Sequence, residues 1–531
     1  MASKQQQNLG AGPLSIQEFL APLYIDDKIV LELSREMSKT FTLLAANSES
    51  QFLPTPISES LLRRVDSGDS GRYLAIDIGG TNLRVGFIEL LPVQARVTET
   101  LSPSTPTHPL GQVPRLRRLL EQSWPIGEHL KNENAESLFS WIGEKIAEVV
   151  GRACRDLKLN RDNDLPMGVT FSFPMAQRSL SQATLMSMGK GFAISDKLDL
   201  DQLLLIGYEK HRRNLPRITI AAIANDSVAT LVSFIYQFQA QPNQKAAMGL
   251  ICGTGSNATI PLKLSSLHQD KRPEQVSVIP GQAGEDVKIA VNTEWSINGS
   301  APPLHKLRLV SHWDTELDQA GEAPGFQPLE YMSSGRYLGE LGRLIFLDYL
   351  TNVLGYKTAN LPLKLQRKFG LSTTFLGHFN PQNSGTLLQQ LEREFPSWKY
   401  EENEHGQTIR TEEVAEALYR IALAIEMRAA AIVAASTIGL LSCAGELPVP
   451  ASKDSESIRM EGPSELVVGY TGGCIAGFQN YLNDCQSLMD TVIRMEYGED
   501  TNIRVTLSPC HDGGITGAGI LVPASLKSER K

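Results

Sequence analysis

The chain has 531 residues and a mass of 58.2 kDa, several times the size of a typical domain, so we expect at least two hydrophobic cores with a cleft between them. Hydrophobic residues make up 41% of the chain and charged residues 21%, which excludes a mainly disordered or fibrous protein. The formal charge of −9 excludes a general attraction to nucleic acid or anionic membranes. A phosphorylated ligand would therefore need a local binding site.

The cysteines and the chain start indicate a cytoplasmic protein. The six cysteines are scattered without a CxxC pair or zinc-ligand spacing, as expected for reduced thiols. Residues 1–12 are polar and lack the apolar core of a signal peptide. The longest apolar stretch, 421–441, is interrupted by Glu426 and Arg428, so no membrane span is expected.

The hydrophobic pattern predicts alternating helices and strands. Residues 16–44 have the spacing of one or two amphipathic helices, and Leu138 begins a helix that runs to about Arg152. Residues 71–90 are typical of a strand, a glycine turn and a second strand. Further short strands are predicted at 167–173, 218–223 and 248–252, and exposed loops at 103–114, 267–285 and 447–463. Such alternation implies a layered α/β architecture.

The first motif with chemical content is the turn from Asp77 to Arg84, with sequence DIGGTNLR. Gly79 and Gly80 let the main chain approach a phosphate, and backbone N–H groups with the Thr81 hydroxyl can donate to its oxygens. Asp77 could orient a metal ion or its water. The alternative is a plain hairpin turn, and the motif is not a Walker loop because no GK[ST] follows.

A second glycine turn, Gly253 to Asn257, follows the predicted strand 248–252. Either turn alone is a weak signal. Two strand-turn phosphate cradles in one chain indicate a nucleotide held between two related halves, which suggests internal duplication.

Asn225 and Asp226 come directly after the predicted strand 218–223. A carboxylate there could take a proton from an attacking hydroxyl while Asn225 binds the substrate. The alternative is that both residues cap a helix beginning at Ser227.

Seven blocks in order along nearly the whole chain resemble the hexokinase family. The blocks are LAIDIGGTNLRV at Leu74, FSFPMAQ at Phe171, KGF at Lys190, AND at Ala224, GTGSN at Gly253, NTEW at Asn292 and SGRYLGE at Ser334. The resemblance implies an α/β, two-lobed actin-like (ribonuclease H-like) fold, with a small and a large domain closing over a cleft. The expected ligands are a sugar and ATP with Mg²⁺.

The resemblance also assigns roles to individual residues. Asp226 corresponds to the catalytic base that deprotonates the sugar 6-hydroxyl. The sugar-binding positions are Ser172, Phe173, Gly189, Lys190, Asn225, Asp226, Asn257, Glu294 and Glu330. The nucleotide-binding positions are Asp77, Gly79, Gly80, Thr81, Asn82, Arg84, Gly253, Thr254, Gly255, Thr471, Gly472 and Gly473. Arg84 either adds charge near the phosphates or forms an ion pair within the small domain.

The implied organisation is a tail at 1–13, an N-terminal part at 14–217, a C-terminal part at 218–522 and a tail at 523–531. Three departures from the family pattern lie near the ligands: Met188 and Gly189 replace a Trp and a Thr, Thr471 replaces an acid, and Ser296 replaces a glycine. Fungal N-acetylglucosamine kinases of this family are similar in the altered blocks, so N-acetylglucosamine is the preferred acceptor. Glucose, fructose or mannose are the alternative, as is a hexokinase-like regulator without turnover.

Overall fold

The computed structural model describes residues 14–63, 70–91, 115–127, 129–130, 134–186, 198–279, 287–396, 398, 411–449 and 458–529. The strands in chain order are β1, Leu53–Ser58; β2, Gly71–Ile78; β3, Asn82–Leu90; β4, Leu116–Pro125; β5, Leu165–Phe171; β6, Met175–Ser179; β7, Gln182–Leu185; β8, Ile218–Ala224; β9, Gln244–Cys252; β10, Ser256–Lys263; β11, Lys288–Asn292; β12, Glu465–Thr471; and β13, Arg504–Pro509.

Helices cover both faces of the strands. They are α1, Ile16–Phe19; α2, Asp27–Asn47; α3, Glu59–Arg63; α4, Ala135–Asp156; α5, Leu200–Arg212; α6, Asp226–Gln237; α7, Ala301–Lys306; α8, His312–Gln319; α9, Pro328–Ser333; α10, Leu338–Asp348; α11, Leu363–Gln366; α12, Thr373–His378; α13, Leu387–Glu394; α14, Thr411–Cys443; α15, Gly473–Gly477; α16, Tyr481–Tyr497; and α17, Gly513–Glu529.

Two large sheets share one strand order. The first sheet has the order β4-β3-β2-β5-β8, and the second has β11-β10-β9-β12-β13 with β1 added at its edge. Apart from the β6-β7 hairpin, each sheet therefore runs third, second, first, fourth, fifth in chain order. In both, the first three strands are antiparallel and the last two are parallel to the first. The repeat is consistent with the internal duplication suggested by the two glycine turns.

The helices α6 and α17 pack against each other between the two sheets. Helix α17 covers the first sheet and α6 covers the second. Small residues permit this close packing, because a Cβ at Gly517 would overlap the carbonyl of Ala229, and a Cβ at Gly168 would overlap that of Ala518. Strand β8 belongs to the first sheet. The predicted boundary between residues 217 and 218 therefore separates this strand from the other four strands of the same sheet.

The buried apolar side chains form separate clusters, as the chain length predicts. One cluster packs α4 and α5 on the first sheet, a larger one packs α2, α14 and α16 with the second sheet, and a third lies between the sheets around α6 and α17. Several local predictions are confirmed: the helices near the start, the strand-turn-strand at 71–90, and the helix ending near Arg152, which continues to Asp156. The predicted loop 103–114 lies outside the described residues.

The helix α14 is the long apolar segment of the sequence. Within the described residues, Glu412–Cys443 has the length and composition to cross a membrane, but 83% of its apolar window is buried inside the protein. Two charged residues are buried with it. Arg428 forms an ion pair with Asp314, with N–O distances of 2.6 and 2.7 Å. Neither carboxyl oxygen of Glu426 has a hydrogen-bond partner in the part of the chain that the structure describes.

Candidate active site

The carboxyl ends of the parallel strands bring several predicted residues to one edge of the first sheet. Asp77 of β2 lies beside Thr170 of β5, and Thr170 lies beside Ala224 of β8. Ser172 and Asn225 follow directly at the ends of β5 and β8. In α/β sheets, ligands bind outside the carboxyl ends of the strands. This edge is therefore the candidate site.

The first glycine turn joins β2 to β3 at this edge. The N–H of Gly79 donates to the carbonyl of Asn82 at 2.9 Å, and the N–H of Ile126 donates to the carbonyl of Thr81 at 2.8 Å. Thr81 and Asn82 are exposed, and Gly80 is half-buried. Main-chain bonds thus fix the turn while its outer side remains accessible, as a phosphate cradle requires.

The second glycine turn joins β9 to β10. The N–H of Gly253 donates to the carbonyl of Gly255 at 2.9 Å. Two further bonds hold the turn from outside: Gly335 N–H to Gly253 O at 2.7 Å, and Arg336 N–H to Thr254 O at 3.0 Å. Thr254 is exposed. The turn is again fixed by backbone bonds and open on one side.

The predicted adenosine segment lies beside the second turn. Thr471 ends β12 and pairs with Ile251 of β9. Gly472 has a φ of +126°, and a Cβ there would overlap the carbonyl of Cys252. A side chain at position 472 is therefore excluded both by backbone conformation and by space. Gly473 is exposed and begins α15.

Asp77 is half-buried beside the first turn of α17. A Cβ at Gly514 would lie 2.6 Å from Asp77 Oδ2. Burial raises the pKa of Asp77 to about 7, Arg84 opposes the shift, and nearby carboxylates, led by Asp226, add to it. A bound cation would favour the ionised form, and carboxylate oxygens are the ligands that Mg²⁺ prefers. The donor set here therefore fits the Mg²⁺ of a nucleotide.

Asp226 is the first residue of α6, and Asn225 is its N-cap. The Asn225 side-chain oxygen accepts from the Ser227 N–H at 2.9 Å and from the Ser227 hydroxyl at 2.7 Å. Asp226 Oδ1 also accepts from the Ser227 N–H, at 2.8 Å. The capping role expected from sequence is present, and Asp226 lies at the positive end of the helix dipole. Capping and acid–base roles are compatible at this position.

A buried hydrogen-bond chain connects the predicted sugar-binding residues to α6. Asn292 is its centre: its Oδ1 accepts from Asn257 Nδ2 at 2.9 Å, and its Nδ2 donates to Glu294 Oε1 at 2.7 Å. The single proton of the Ser227 hydroxyl goes to Asn225 Oδ1, so the Thr259 hydroxyl at 2.7 Å can donate to Ser227, and Asn292 Oδ1 lies 3.3 Å away as a neighbouring contact. Asn257 and Glu294 are thereby held in one arrangement with the helix that carries Asp226.

Glu294 has a φ of +45°, in the left-handed region that non-glycine residues rarely adopt. Gln51 Nε2 donates to its carbonyl at 2.9 Å and fixes this conformation. The side chain is only 9% exposed. Such backbone strain costs about 1–3 kcal/mol and is concentrated at functional sites.

Glu330 lies under the second glycine turn. Its Oε2 accepts from the Ser256 N–H at 3.1 Å, and a Cβ at Gly255 would lie 2.9 Å from the same oxygen. Trp295 Nε1 donates to the Ser256 hydroxyl at 3.0 Å. Glu330 thus links the sugar-binding set to the second phosphate cradle.

Arg84 forms an ion pair with Asp512 at 3.3 Å, and this partner lies in the predicted C-terminal part, whereas the expected ion pair was within the small domain. Arg118 contacts the other oxygen of Asp512 at 2.7 Å. Asp512 directly precedes α17, so the pair joins the first glycine turn region to the segment that enters that helix.

Phe173, Gly189 and Lys190 are three further predicted sugar-binding residues. Phe173 is buried in the core, and its ring lies 5.1 Å from that of Phe171, so its side chain serves packing. Gly189 and Lys190 lie outside the described residues. Their roles remain predictions.

Sequence reasoning missed Asn292 and Gln51 as supporting residues. Asn292 begins the NTEW block, so the block itself carried a signal. Gln51 lies 243 residues before its partner Glu294, and no motif surrounds it.

Known proteins with similar sequences are hexokinases. Two sequence models of families described as Hexokinase match residues 15–236 and 247–524. Hexokinase-2 of Rattus norvegicus is 31% identical over 337 residues, covering 62% of this chain and 32% of the rat protein. Hexokinase-7 of Oryza sativa subsp. japonica is 25% identical over 460 residues, covering 86% of this chain and 85% of the rice protein. The chain spans about a third of the length of its mammalian relatives.

Solved structures confirm the predicted fold. The hexokinase from Schistosoma mansoni, complexed with glucose, superposes with a TM-score of 0.70 at 22% identity, covering 96% of this chain and 98% of that chain. A second hexokinase crystal structure gives a TM-score of 0.65 with the same coverage. The described chain therefore has the two-domain α/β fold of these proteins.

Proposed function

Because this chain belongs to the hexokinase family, we propose that it transfers the γ-phosphoryl group of MgATP to the 6-hydroxyl of a hexose. One observation carries the proposal: Asn292 hydrogen-bonds both Asn257 and Glu294, and its side-chain oxygen lies 3.3 Å from Ser227 in the first turn of the helix that begins with Asp226. A carboxylate base and a polar acceptor site are thus built on one rigid element.

Asp226 is the proposed general base. Its carboxylate would take the proton of the sugar hydroxyl as that oxygen attacks the γ-phosphorus, giving a sugar 6-phosphate, ADP and a proton that later leaves to solvent. The bond from the Ser227 N–H fixes the carboxylate. Because the oxygen of Asn225 is occupied by Ser227, its Nδ2 group is the donor that can face the acceptor sugar.

The two glycine turns are proposed to hold the phosphates through main-chain N–H groups, with the exposed Thr81 and Thr254 at their open sides. ATP with Mg²⁺ supplies the phosphoryl group and neutralises charge when bound. Asp77 would hold the cation or its water, which agrees with its raised pKa in the absence of a cation. Phosphoryl transfer requires positioning and charge neutralisation above all, and these groups provide both.

Sugar hydroxyls both donate and accept hydrogen bonds, so a mixed set of carboxylates and amides suits them. Asn257, Glu294 and Glu330 offer such a set, and each is half-buried or buried. Bonds to fixed groups of this kind discriminate strongly against analogues that lack the hydroxyl.

We propose N-acetylglucosamine as the acceptor. The support is in the sequence: Gly189 stands where glucose-type relatives have Thr, which would leave room beside the sugar, and SGRYL resembles the fungal N-acetylglucosamine kinases. Glucose is the competing acceptor, and the hexokinase relatives fit it at least as well. The Schistosoma relative is complexed with glucose.

A coupled assay of ADP release with N-acetylglucosamine, glucose, mannose and fructose tests the proposal. We expect the highest kcat/KM on N-acetylglucosamine, and a shift toward glucose in Gly189→Thr. Highest turnover on glucose would overturn the choice of acceptor while leaving the kinase proposal intact. No turnover on any sugar, by folded protein with MgATP, would instead favour a ligand-binding regulator.

A further inference from the structure

Arg336 lies at the second glycine turn although no predicted role included it. Its N–H donates to the carbonyl of Thr254 at 3.0 Å, next to the bond from Gly335 to Gly253. A Cβ at Gly335 would lie 2.8 Å from the Gly253 carbonyl, so the two segments are in direct contact. The backbone therefore anchors this arginine beside the exposed Thr254.

The side chain of Arg336 is held only loosely. Its Nη2 lies 3.2 Å from Glu322 Oε1, and the two side chains are 35% and 76% exposed. The guanidinium carbon lies 5.7 Å from the centre of the Tyr337 ring. Exposed ion pairs of this kind contribute little to stability, so an incoming anion can displace Glu322.

The second turn has no positively charged side chain of its own to neutralise a bound polyphosphate. Gly253, Thr254 and Gly255 have no charged side chain, and the carboxylate of Glu330 accepts a bond from the next residue, Ser256. A polyphosphate placed on the turn would approach that carboxylate. Arg336 is fixed within one residue of the turn by its own backbone bond, and its planar guanidinium suits paired phosphate oxygens.

The first glycine turn has a comparable arrangement. Arg84 stands close behind that turn and pairs with Asp512 at 3.3 Å, with each side chain 36% exposed. Each turn thus has an arginine with an accessible acidic partner nearby, although Arg84 lies on β3 and Arg336 lies between α9 and α10.

We propose that Arg336 binds the polyphosphate of the nucleotide at the second glycine turn, exchanging Glu322 for phosphate oxygens. The inference rests on the proposed function, because it takes the nucleotide as ligand. It adds a residue that determines specificity for the phosphates of the nucleotide. Arg336 would contact these phosphates and would contact neither the sugar nor the nucleoside.

Calorimetric binding of MgATP, MgADP, adenosine and N-acetylglucosamine to the full chain tests this contact. The variants are Arg336→Met, which keeps an apolar stem against Tyr337, and Arg336→Lys; the matched control is Glu322→Gln. In Arg336→Met we expect the Kd of MgATP and MgADP to rise about 10-fold or more, the size of a lost charge-assisted hydrogen bond. Adenosine and sugar Kd values should stay within about twofold. The Kd of MgATP for Arg336→Lys should lie between the values for the parent chain and for Arg336→Met. Glu322→Gln should bind MgATP as tightly as the parent chain or more tightly.

Two results would overturn the role of Arg336. One is a MgATP Kd within about twofold of the parent in Arg336→Met. The other is an equal loss of adenosine, sugar and MgATP binding, which would make the residue a support for the cleft. A parent chain that binds MgATP but releases no ADP with any sugar overturns the proposed function and leaves the comparison of variants valid. A parent chain that does not bind MgATP overturns both.

Discussion

The carboxylate of Asp77 rests against the α-carbon of Gly514, where a Cβ would lie 2.6 Å from Asp77 Oδ2. Asp77 ends the strand that leads into the first glycine turn, and Gly514 belongs to the first turn of α17. The helix between the sheets and the proposed cation-binding carboxylate are thus in direct contact. Movement of α17 would therefore move or release this carboxylate.

Substitution of Gly514 by Ala should displace Asp77. We expect kcat/KM for MgATP to fall at least about 10-fold, because displacements of the order of 1 Å at reacting groups cost up to about 100-fold. Gly477→Ala is the control, since a Cβ at that exposed position would meet nothing within 4 Å. Steady-state kinetics with a thermal unfolding scan checks this, and unchanged kinetics in Gly514→Ala would contradict the contact.

The pKa of Asp77, about 7, predicts an acidic limb in the activity profile. Only the ionised carboxylate can hold a cation, so kcat/KM for MgATP should rise with pH through about 7 and level off above it. Asp77→Asn should lower activity and abolish this limb. The measurement is a pH profile between 5 and 9 at saturating sugar, and a limb that persists in Asp77→Asn would assign it to another group.

Loss of the proposed base should reduce catalysis with little change in folding. We expect Asp226→Asn to lower kcat by about 10²- to 10⁴-fold, the usual contribution of a general base. The amide can still accept the bond from the Ser227 N–H, so α6 should remain capped. Asp162→Asn, at an exposed turn, is the matched control. A kcat close to that of the parent would refute the assignment.

Asn292→Ala should damage the sugar site selectively. Two side-chain bonds, to Asn257 and Glu294, and a 3.3 Å contact with the Ser227 hydroxyl are removed together. We expect the sugar KM to rise about 10-fold or more while the MgATP KM changes by less than about threefold, because the lost bonds orient sugar-binding groups. Asn298→Ala, at an exposed position nearby, provides the control. Equal changes in both KM values would indicate a general loss of structure.

Glu426 should make stability depend on pH. Burial raises its pKa to about 9, and the carboxylate of Asp484 adds to the shift. The folded pKa lies above the unfolded value near 4.5, so the stabilising contribution is complete below about pH 4.5 and is lost as pH rises toward 9. Glu426→Gln cannot ionise, so its advantage in unfolding free energy over the parent should grow from pH 6 to pH 9. Urea unfolding measures this, with Glu413→Gln on the exposed side of α14 as control. A constant difference would show that Glu426 does not titrate.

Local sequence signals predicted the positions of many elements and, with them, where several candidate site residues lie in the chain; the roles of those residues remain predictions. The turns at Gly79 and Gly253 follow from glycine pairs after apolar strands, and the end of β8 places Asp226 at a helix start. The positive φ of Glu294 and its support by Gln51 could not be predicted, because residues 243 positions apart meet only through the fold. The motif predicts Phe173 as a sugar-binding position, and its burial could not be predicted because the same motif suits packing as well as binding.

The structure also extends what the motifs alone indicated. Arg336 was visible within the SGRYLGE block, but only the bond to Thr254 places it at the second turn. The twofold repeat of one five-strand order likewise required the hydrogen-bond pattern, since the two halves share little local sequence beyond their glycine turns.

The buried charges of α14 also matter before the chain has folded. An unfolded or newly synthesised segment 411–443 exposes a stretch as apolar as a membrane span, which favours aggregation and insertion into lipid. A charge at the centre of such a stretch raises the cost of insertion by about 2.5–3.5 kcal/mol and discourages self-association. We therefore expect Glu426 and Arg428 to disfavour both outcomes in the nascent chain, whereas in the native protein Arg428 pairs with Asp314 and burial raises the pKa of Glu426 to about 9.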